Sequence, residues 1–336
     1  MVLVTGATGL VGSHLVLHLL ENGDNVRAMY RNIETTEKTK ALFKMFDKEN
    51  LFDKIEWIQA DIIDVPSLAK AFANIEKVYH CAAMISFEPK DEVQLRKVNI
   101  EGTANVVNFC LDFKVKKLCY VSSIAALGDL KDHETIITET TEWNPEKEHS
   151  DYAISKFGAE IEVFRGQQEG LETVIVNPGV ILGQVPNLKD FTSGSSAIYA
   201  KVKKGLFFYT KGSTSFVSVN DVVKIMRMLM NSGISNERFI VSAGDFTFKD
   251  IITYIAKSLE LKPPTVYVKP FVIGMVWRID WLISNILFKE RTLSKAMAKS
   301  LNSIESLSNE KIKLALNYDF ENIEDSCNKI GLNLKN

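Results

Sequence analysis

The sequence is poor in the residues that define several classes of protein. Its 336 residues include four cysteines, with no C-x-x-C pair and no histidine at zinc-finger spacing, which argues against a disulfide-stabilised mini-protein and gives no reason to expect a metal site. Eight prolines and 18 glycines are too few for a collagen-like chain. With 46% hydrophobic and 24% charged residues, the composition is globular. We expect the cysteines to be reduced thiols of a cytoplasmic protein.

Neither sign of charge dominates, and no hydrophobic run is long. The 40 Lys and Arg residues nearly balance 42 Asp and Glu residues, so no nucleic-acid partner is expected. The N-terminus lacks the basic start of a signal peptide. The most apolar segment, Val266–Phe288, is interrupted by Lys269, Arg278 and Asp280 and is predicted not to span a bilayer. We expect this segment to be helical, and either to line a substrate pocket or to contact a membrane surface or partner.

The first half of the chain alternates short apolar runs with amphipathic stretches, a pattern typical of β-α-β units. The predicted strands are Met1–Val4, Asn25–Tyr30, Ile55–Gln59, Lys77–Cys81, Lys117–Val121 and Thr173–Val176. The predicted helices are Leu10–Glu21, Thr36–Phe46, Val65–Phe72, Val93–Phe113 and Tyr152–Gln168. Unbroken apolar strands suit a parallel sheet that is covered on both faces. The sequence therefore predicts the α/β class, with the doubly wound parallel sheet of a Rossmann fold.

The pattern changes after Pro178. We interpret residues 1–178 as the domain that carries the sheet and residues 179–336 as a smaller substrate-binding region, parts of which return to the sheet. Ile181–Gly212 is rich in Gly, Ser and Thr, which predicts loops with one helix near Ala197–Lys204. A strand at Phe239–Ser242 and a helix at Phe248–Leu259 are expected beyond it.

Three glycines at a spacing of three residues follow the first predicted strand. Gly6, Gly9 and Gly12 lie between that strand and an amphipathic helix, which is the context that a dinucleotide-binding turn requires. Gly6 permits the tight turn, Gly9 lets a pyrophosphate approach the backbone, and Gly12 lets the helix pack on the strand. The helix N-terminus then offers N–H groups to the phosphates. The turn predicts a nicotinamide dinucleotide bound to residues 1–178.

The end of the second strand indicates which dinucleotide binds. Chains that bind NAD carry an acidic residue about 20 positions after the turn, whereas an arginine accommodates the 2′-phosphate of NADP. Here Arg31 ends the strand and Lys38 follows it, which favours NADPH and leaves NAD possible. The alternative is that Arg31 is a surface residue on a solvated turn. After the third strand, Asp61 either accepts a hydrogen bond from the adenine amino group or caps a helix.

A tyrosine and a lysine stand four residues apart in a predicted helix. Tyr152 and Lys156 therefore share one helix face, where the ammonium helps to ionise a phenol whose free pKa is about 10. The fifth predicted strand ends in Ser122 and Ser123, and a serine hydroxyl there could hold a carbonyl oxygen beside Tyr152. The pattern predicts proton transfer to a carbonyl group.

With these motifs the sequence resembles the extended short-chain dehydrogenase/reductase family, within the NAD-dependent epimerase/dehydratase superfamily. The matching segments are Thr5–Gly12, Asp61, Cys81–Ala83, Asn99, Ser122–Ser123, Tyr152–Lys156, Asn177–Gly179 and Phe216–Asp221. Val26–Arg31 is similar to the dihydroflavonol-4-reductase-like branch, in which the arginine contacts the 2′-phosphate. Tyr120–Ile124 is similar to the 3β-hydroxysteroid dehydrogenase branch. The resemblance implies Ser123 as the catalytic serine, with Ser122 as the alternative, and a homodimer.

The resemblance also implies a set of residues around the cofactor. These are Gly6, Thr8, Gly9, Leu10, Val11, Gly12, Arg31, Lys38, Asp61, Ile62, Ala82, Ala83, Tyr152, Lys156, Pro178 and Val180. The implied activity is hydride transfer between NADPH and a carbonyl or hydroxyl group, with Ser123, Tyr152 and Lys156 as the catalytic residues.

Two other functions remain alternatives: a nucleotide-sugar epimerase and a non-catalytic regulator that senses a dinucleotide. The presence of all three catalytic residue types disfavours the regulator. Ile124 and Ala125 stand where sugar dehydratases of this family carry an acidic pair, which argues against dehydration. The substrate is expected to be hydrophobic because the late apolar segment contributes many large side chains, unless those side chains belong to the core. They are Phe271, Met275, Trp277, Trp281 and Phe288.

Overall fold

The computed structural model describes residues 1–189, 195–287 and 293–335. The described strands are Val2–Thr5 (β1), Val26–Tyr30 (β2), Glu56–Gln59 (β3), Lys77–His80 (β4), Lys117–Val121 (β5), Thr173–Pro178 (β6), Val180–Leu182 (β7), Phe208–Tyr209 (β8), Ser213–Ser218 (β9), Glu237–Val241 (β10), Gly244–Thr247 (β11) and Val266–Tyr267 (β12). The helices of the sheet-forming part are Leu10–Glu21 (α1), Thr36–Met45 (α2), Glu49–Phe52 (α3), Val65–Ala71 (α4), Glu92–Arg96 (α5), Gly102–Asp112 (α6) and Asp151–Gln168 (α7). The later helices are Ser195–Lys203 (α8), Val219–Asn231 (α9), Phe248–Ser258 (α10), Pro270–Leu287 (α11), Lys295–Ser300 (α12), Glu310–Leu316 (α13) and Ile323–Asn333 (α14).

Seven parallel strands form the central sheet in the order β10-β6-β5-β4-β1-β2-β3. The order turns back between β1 and β4, and a crevice opens at the carboxyl ends of the strands at such a point. Strand β5 is buried along its whole length, as a strand covered on both faces must be. The predicted doubly wound parallel sheet is therefore confirmed, and the glycine turn and Ser123 follow strands that end at its crevice.

Separate apolar clusters cover the two faces of the sheet. One cluster includes Leu15 of α1 and Met226 of α9. The other includes Leu68 of α4, Val106 of α6 and Val163 of α7. A third cluster lies away from the sheet, between α8, α10 and α14, and contains the residues Tyr199, Ile255 and Ile330. Apolar burial thus joins part of the later region (residues 179–336), including α9, to the sheet, and a further core forms among α8, α10 and α14.

The later region differs from the sequence-based expectation in several elements. Ile181–Gly212, expected to hold one helix among loops, also contains strand residues of β7 and the whole of β8. Strand β9 and helix α9 were not predicted, whereas β10 overlaps the strand predicted at Phe239–Ser242 and pairs with β6 at the edge of the central sheet. Strands β7 and β8 have only three and two residues and arise from pairing with distant segments, which local periodicity does not report. The division at residue 178 stays a prediction.

Two predicted helices also have different bounds. The helix expected over Val93–Phe113 is interrupted by a π-helical turn at Lys97–Glu101. In the segment Val266–Phe288, the first two residues form β12, which pairs in parallel with β8, and the helix begins at Pro270. Phe288 lies outside the described residues. No helix in the described ranges is long and apolar enough to cross a membrane.

Candidate active site

The glycine turn between β1 and α1 is shaped by close backbone contacts. Gly6 adopts a left-handed conformation with φ of 63°, and a Cβ atom there would lie 2.7 Å from the Ala82 amide nitrogen. A Cβ at Gly12 would overlap the carbonyl oxygen of Gly6. The Gly9 N–H donates to that same oxygen at 3.0 Å. Since the first N–H groups of α1 have no partner within the helix, the turn fits a pyrophosphate, as the sequence predicts.

The end of β4 is tied to this turn through buried polar groups. The Thr5 hydroxyl contacts His80 Nδ1 at 2.7 Å and accepts from the Ala82 N–H at 3.2 Å. His80 Nε2 contacts the Thr103 hydroxyl at 3.0 Å. Burial lowers the pKa of His80 to about 3, with the charge of Lys156 adding to the effect. The neutral imidazole therefore acts as a brace between β1, β4 and α6.

Arg31 opens onto a cavity at the ends of β2 and β3. The cavity measures about 360 Å³ and is lined by Arg31, Gln59, Ala60, Asp61, Asp64, Ser67 and Lys70. Arg31 is exposed, and within the described ranges its guanidinium forms no ion pair with Glu34 or Glu37. Asp61 lines the cavity, and one of its oxygens accepts from the Ile63 N–H at 3.2 Å. Lys70 of α4 also lines the cavity and was not predicted from the sequence.

Lys156 is buried beneath the carboxyl end of β5. Its side chain is among the most buried large side chains, at 1% exposure. Its Nζ donates to the Tyr120 hydroxyl and to the Val121 carbonyl oxygen, both at 2.8 Å. Burial lowers the pKa of Lys156 to about 7, while the charge of Glu160 opposes the shift. The buried ammonium therefore holds its proton less tightly than an exposed lysine does.

Tyr152 lies in the first turn of α7, which is capped by the Ser150 hydroxyl accepting from the Ala153 N–H at 3.2 Å. The Phe87 ring packs edge-on against it with centroids 5.6 Å apart. Burial raises the pKa of the phenol, and a hydrogen bond with the Ser123 side chain opposes this. The Ser122 hydroxyl is instead buried without a hydrogen-bond partner among the described residues, and its main electrostatic effect is to lower the pKa of Glu160. Of the two serines, Ser123 is thus the one next to Tyr152.

Glu160 is a buried charge that the sequence analysis did not select. Its carboxylate accepts from Asn177 Nδ2 at 2.6 Å and from Arg238 Nη1 at 3.0 Å. Asn177 Nδ2 also donates to the Ser123 carbonyl oxygen at 2.9 Å. Burial raises the pKa of Glu160, and its hydrogen-bond partners and Arg238 oppose this. The spacing of four residues from Lys156 was a signal for a shared helix face, but the partners come from distant strands.

The remaining predicted residues lie along the same edge of the sheet. Thr8 precedes α1, Leu10 and Val11 begin it, and Lys38 lies on α2. Ile62 follows β3 and packs against Gly102. Ala83 follows Ala82 beyond β4, Pro178 ends β6, and Val180 begins β7. Their contact with a cofactor stays a prediction.

The apolar residues expected near the substrate divide into two groups. Phe271, Met275 and Trp281 of α11 are 76%, 47% and 45% exposed, so they do not belong to the core. Trp277 is half-buried.

The four cysteines are free thiols, and burial is the main cause that raises the pKa of each.

A Rossmann sheet with a glycine turn, a serine after β5 and a Tyr–Lys pair on α7 defines a dinucleotide-binding protein of the short-chain dehydrogenase/reductase type. The model of the NAD dependent epimerase/dehydratase family matches residues 2–242, and the chain belongs to this family.

Two sequence relatives and one solved structure are similar to this chain. Sterol demethylase protein B of Methylococcus capsulatus is 27% identical, with 86% of this chain and 84% of the relative covered. A putative dihydroflavonol 4-reductase of Synechocystis is 27% identical, with 78% and 73% covered. The crystal structure of Thermus thermophilus UDP-glucose 4-epimerase in complex with NAD matches with a TM-score of 0.74 at 20% identity, covering 99% of this chain and 98% of that one. This last likeness concerns the fold alone.

Proposed function

We propose that the protein is an NADPH-dependent oxidoreductase that reduces a hydrophobic carbonyl compound or oxidises the corresponding alcohol. The observation that carries the proposal is the placement of half-buried Tyr152 and buried Lys156 four residues apart on α7, with the Ser123 side chain lowering the pKa of the phenol against the effect of burial. A regulator that only binds a dinucleotide has no need for this arrangement. Titratable groups with shifted pKa values cluster at functional sites, and the pKa values of both Tyr152 and Lys156 are shifted by burial.

Each residue of the group has a separate role in carbonyl reduction. When bound, NADPH supplies the hydride that reaches the carbonyl carbon. The Ser123 hydroxyl orients the carbonyl oxygen, and Tyr152 donates its phenolic proton to that oxygen. Lys156 binds the cofactor ribose, and its positive charge stabilises the phenolate left on Tyr152. In the reverse direction Tyr152 accepts the proton.

Cofactor preference follows from the cavity at the ends of β2 and β3. Arg31 offers a planar fork of donors that suits phosphate oxygens. Lys38 on α2 was the second cation expected from the sequence, and Lys70 supplies another at the cavity wall. Since strand β2 ends without an acidic residue to bind a 2′-hydroxyl, the 2′-phosphate of NADPH is favoured, and NAD binds more weakly.

The reductase relatives and the absence of an acidic pair at Ile124 and Ala125 support reduction over dehydration. The test combines binding and turnover on the full chain. NADPH at ~100 times its Kd adds about 2.7 kcal/mol to the unfolding free energy, measurable as a thermal shift. We expect NADPH oxidation with hydrophobic ketones or aldehydes and none with UDP-glucose or UDP-galactose.

Two adjacent serines provide a matched pair for the site. Ser123→Ala is expected to lower kcat at least ~10-fold, whereas Ser122→Ala retains most activity because the Ser122 hydroxyl has no hydrogen-bond partner among the described residues. Interconversion of UDP-sugars without net cofactor consumption would replace the proposal by epimerisation. Cofactor binding with no turnover of either class would leave only the regulator.

A further inference from the structure

Helix α11 reverses the usual distribution of side chains. Its inward line consists of Ile273, Trp277, Asp280 and Ser284, of which Ile273 and Ser284 are 4% and 6% exposed. Nine large apolar side chains between residues 271 and 286 are instead 43–76% exposed. Five of them form a line along the outer face at helical spacing: Phe271, Met275, Ile279, Leu282 and Ile286. A helix on the surface of a globular protein normally turns its apolar side chains to the core and its polar side chains to water.

More exposed apolar side chains lie on the two-stranded ribbon of β8 and β12, and β12 directly precedes α11 in the chain. Phe207 is 62% exposed and Phe208 is 40% exposed, and their rings pack edge-on with centroids 5.7 Å apart. The Phe207 carbonyl oxygen accepts from the N–H of Val266 at 3.2 Å, and Val266 is itself 47% exposed. We call the outer side of α11 together with Phe207, Phe208 and Val266 the apolar face. Exposed hydrocarbon in this amount marks an interaction surface.

The charged residues next to the apolar face along the chain are mainly basic. Residues 195–212 and 262–280 contain seven lysines and arginines, all exposed, and one acidic residue, Asp280, which is half-buried on the inward line of α11. Lys211 Nζ lies 4.9 Å from the Tyr267 ring centroid, and the Arg278 guanidinium lies 4.6 Å from the ring of Trp277. Hydrocarbon with aromatic and cationic neighbours is the pattern of helices that lie in a membrane interface.

We propose that the apolar face docks on the surface of an anionic lipid bilayer, with α11 parallel to the membrane plane. The hydrocarbon enters the boundary between headgroups and acyl chains, and the surrounding lysines meet the negative surface potential. A second copy of the chain fits less well, because a two-fold contact through this face would bring two cationic surfaces together. Lipid docking rests on the exposed face and not on the proposed chemistry.

Docking has a consequence for access to the substrate. Helix α11 and the β8–β12 ribbon belong to the region that the sequence analysis assigns to substrate binding. A protein held on a bilayer by this region takes an apolar substrate from the lipid, where it is concentrated, and not from water. Membrane docking therefore specifies where the proposed reaction takes place. Docking itself does not depend on which reaction the protein catalyses.

Vesicle co-sedimentation of the full chain tests the proposal. We expect binding to vesicles of phosphatidylcholine with phosphatidylserine, weaker binding to phosphatidylcholine alone, and loss of the difference at high salt. The double variant Ile279→Ser/Leu282→Ser should bind at least ~10-fold more weakly. Lys203→Glu/Lys204→Glu should weaken binding by at least ~10-fold to the anionic vesicles only.

The matched control replaces exposed apolar residues elsewhere. Ile161 of α7 and Leu314 of α13 are 47% and 81% exposed, and Ile161→Ser/Leu314→Ser should bind vesicles like the wild type. Tryptophan quenching by brominated lipid gives a second readout, which Trp281→Phe should reduce without weakening binding.

Three results would overturn the proposal. These are equal vesicle binding by the wild type and Ile279→Ser/Leu282→Ser, no binding of the wild type to either vesicle, and a wild-type dimer that this variant converts to monomers without any vesicle binding. The last result would assign the apolar face to a subunit interface.

Discussion

Two helices of equal length differ in what they bury: one buries charged side chains, and the other exposes apolar ones. Helix α7 has 18 residues and buries Lys156 and Glu160 at 1% and 0% exposure. Helix α11 also has 18 residues, and Phe271 on its outer face is 76% exposed. A buried charge is tolerable only when it is paired and hydrogen-bonded, and an exposed apolar face is tolerable when something else covers it. The first helix therefore has its partners within the fold, whereas the second points to a partner outside it.

The largest loss of unfolding free energy is expected when the buried carboxylate of α7 is removed. Glu160→Ala leaves the Arg238 guanidinium and Asn177 without their partner, and breaking a buried ion pair costs about 3–5 kcal/mol. We expect urea unfolding to show this loss. Glu162→Ala in the same helix removes a carboxylate that pairs with Arg165 near the surface, and should cost at most ~1 kcal/mol. Equal losses for the two variants would contradict the role assigned to Glu160.

Buried histidines make the stability of the protein depend on pH. His14 of α1 is 4% exposed, its Nε2 contacts the Gln184 carbonyl oxygen at 2.8 Å, and burial lowers its pKa from 6.5 to about 4. Because the unfolded chain binds the proton more tightly, stability is complete above pH 6.5 and falls as the pH drops towards 4. The shift corresponds to about 3 kcal/mol.

The histidine prediction is checked by comparing unfolding free energies at pH 7 and pH 4. His14→Gln should reduce the loss on acidification, since glutamine does not titrate and can still donate to Gln184. His133 is exposed, and His133→Gln should leave the pH dependence unchanged. A wild-type pH dependence retained in full by His14→Gln would assign acid sensitivity to other groups, such as His80.

The chemical role of α7 is tested by removing one hydroxyl. Tyr152→Phe keeps the ring that packs against Phe87 but deletes the proton donor, and the loss of a general acid costs about 10²-fold or more in kcat. We expect NADPH binding to be retained, as measured by a thermal shift. A variant that kept more than about a tenth of the wild-type rate would refute the assignment.

Cofactor preference gives an effect of similar or smaller size. A charge-assisted hydrogen bond contributes ~1.5–3 kcal/mol, so Arg31→Ala should weaken NADPH binding about 10- to 150-fold while leaving NADH almost unchanged. Dissociation constants of both cofactors measure this. Lys70→Ala should produce a smaller loss in the same direction. Equal affinities of the wild type for the two cofactors would mean that Arg31 is only a surface residue.

The smallest effect is expected on α11. Ile279→Ala removes hydrocarbon that already contacts water, so the unfolding free energy should change by no more than ~0.5 kcal/mol. Ile255 of α10 is fully buried, and Ile255→Ala should cost about 2–5 kcal/mol. Calorimetry in the absence of lipid compares them. A large loss for Ile279→Ala would show that α11 is covered within the protein.

Local patterns were enough to predict much of the sheet and the helices around it. Helix α1 and strand β5 have the predicted bounds, since each is a continuous periodic or apolar run with a clear end. The predicted single helix over Val93–Phe113 was wrong at its π-helical turn, and β12 was missed. Two- and three-residue strands carry almost no periodicity, so they could not be read from the chain.

The sequence by itself determined the class of fold, the glycine turn and the four-residue spacing that aligns Tyr152 with Lys156, because these depend on neighbours within one turn or one strand. The contact of Glu160 with Arg238, 78 positions away along the chain, and the shared cavity of Lys70 and Arg31 arise only from the tertiary structure. It also decided that the apolar side of α11 faces outward. Hydrophobicity shows that a helix has an apolar side, but the packing of the rest of the chain determines whether that side is buried.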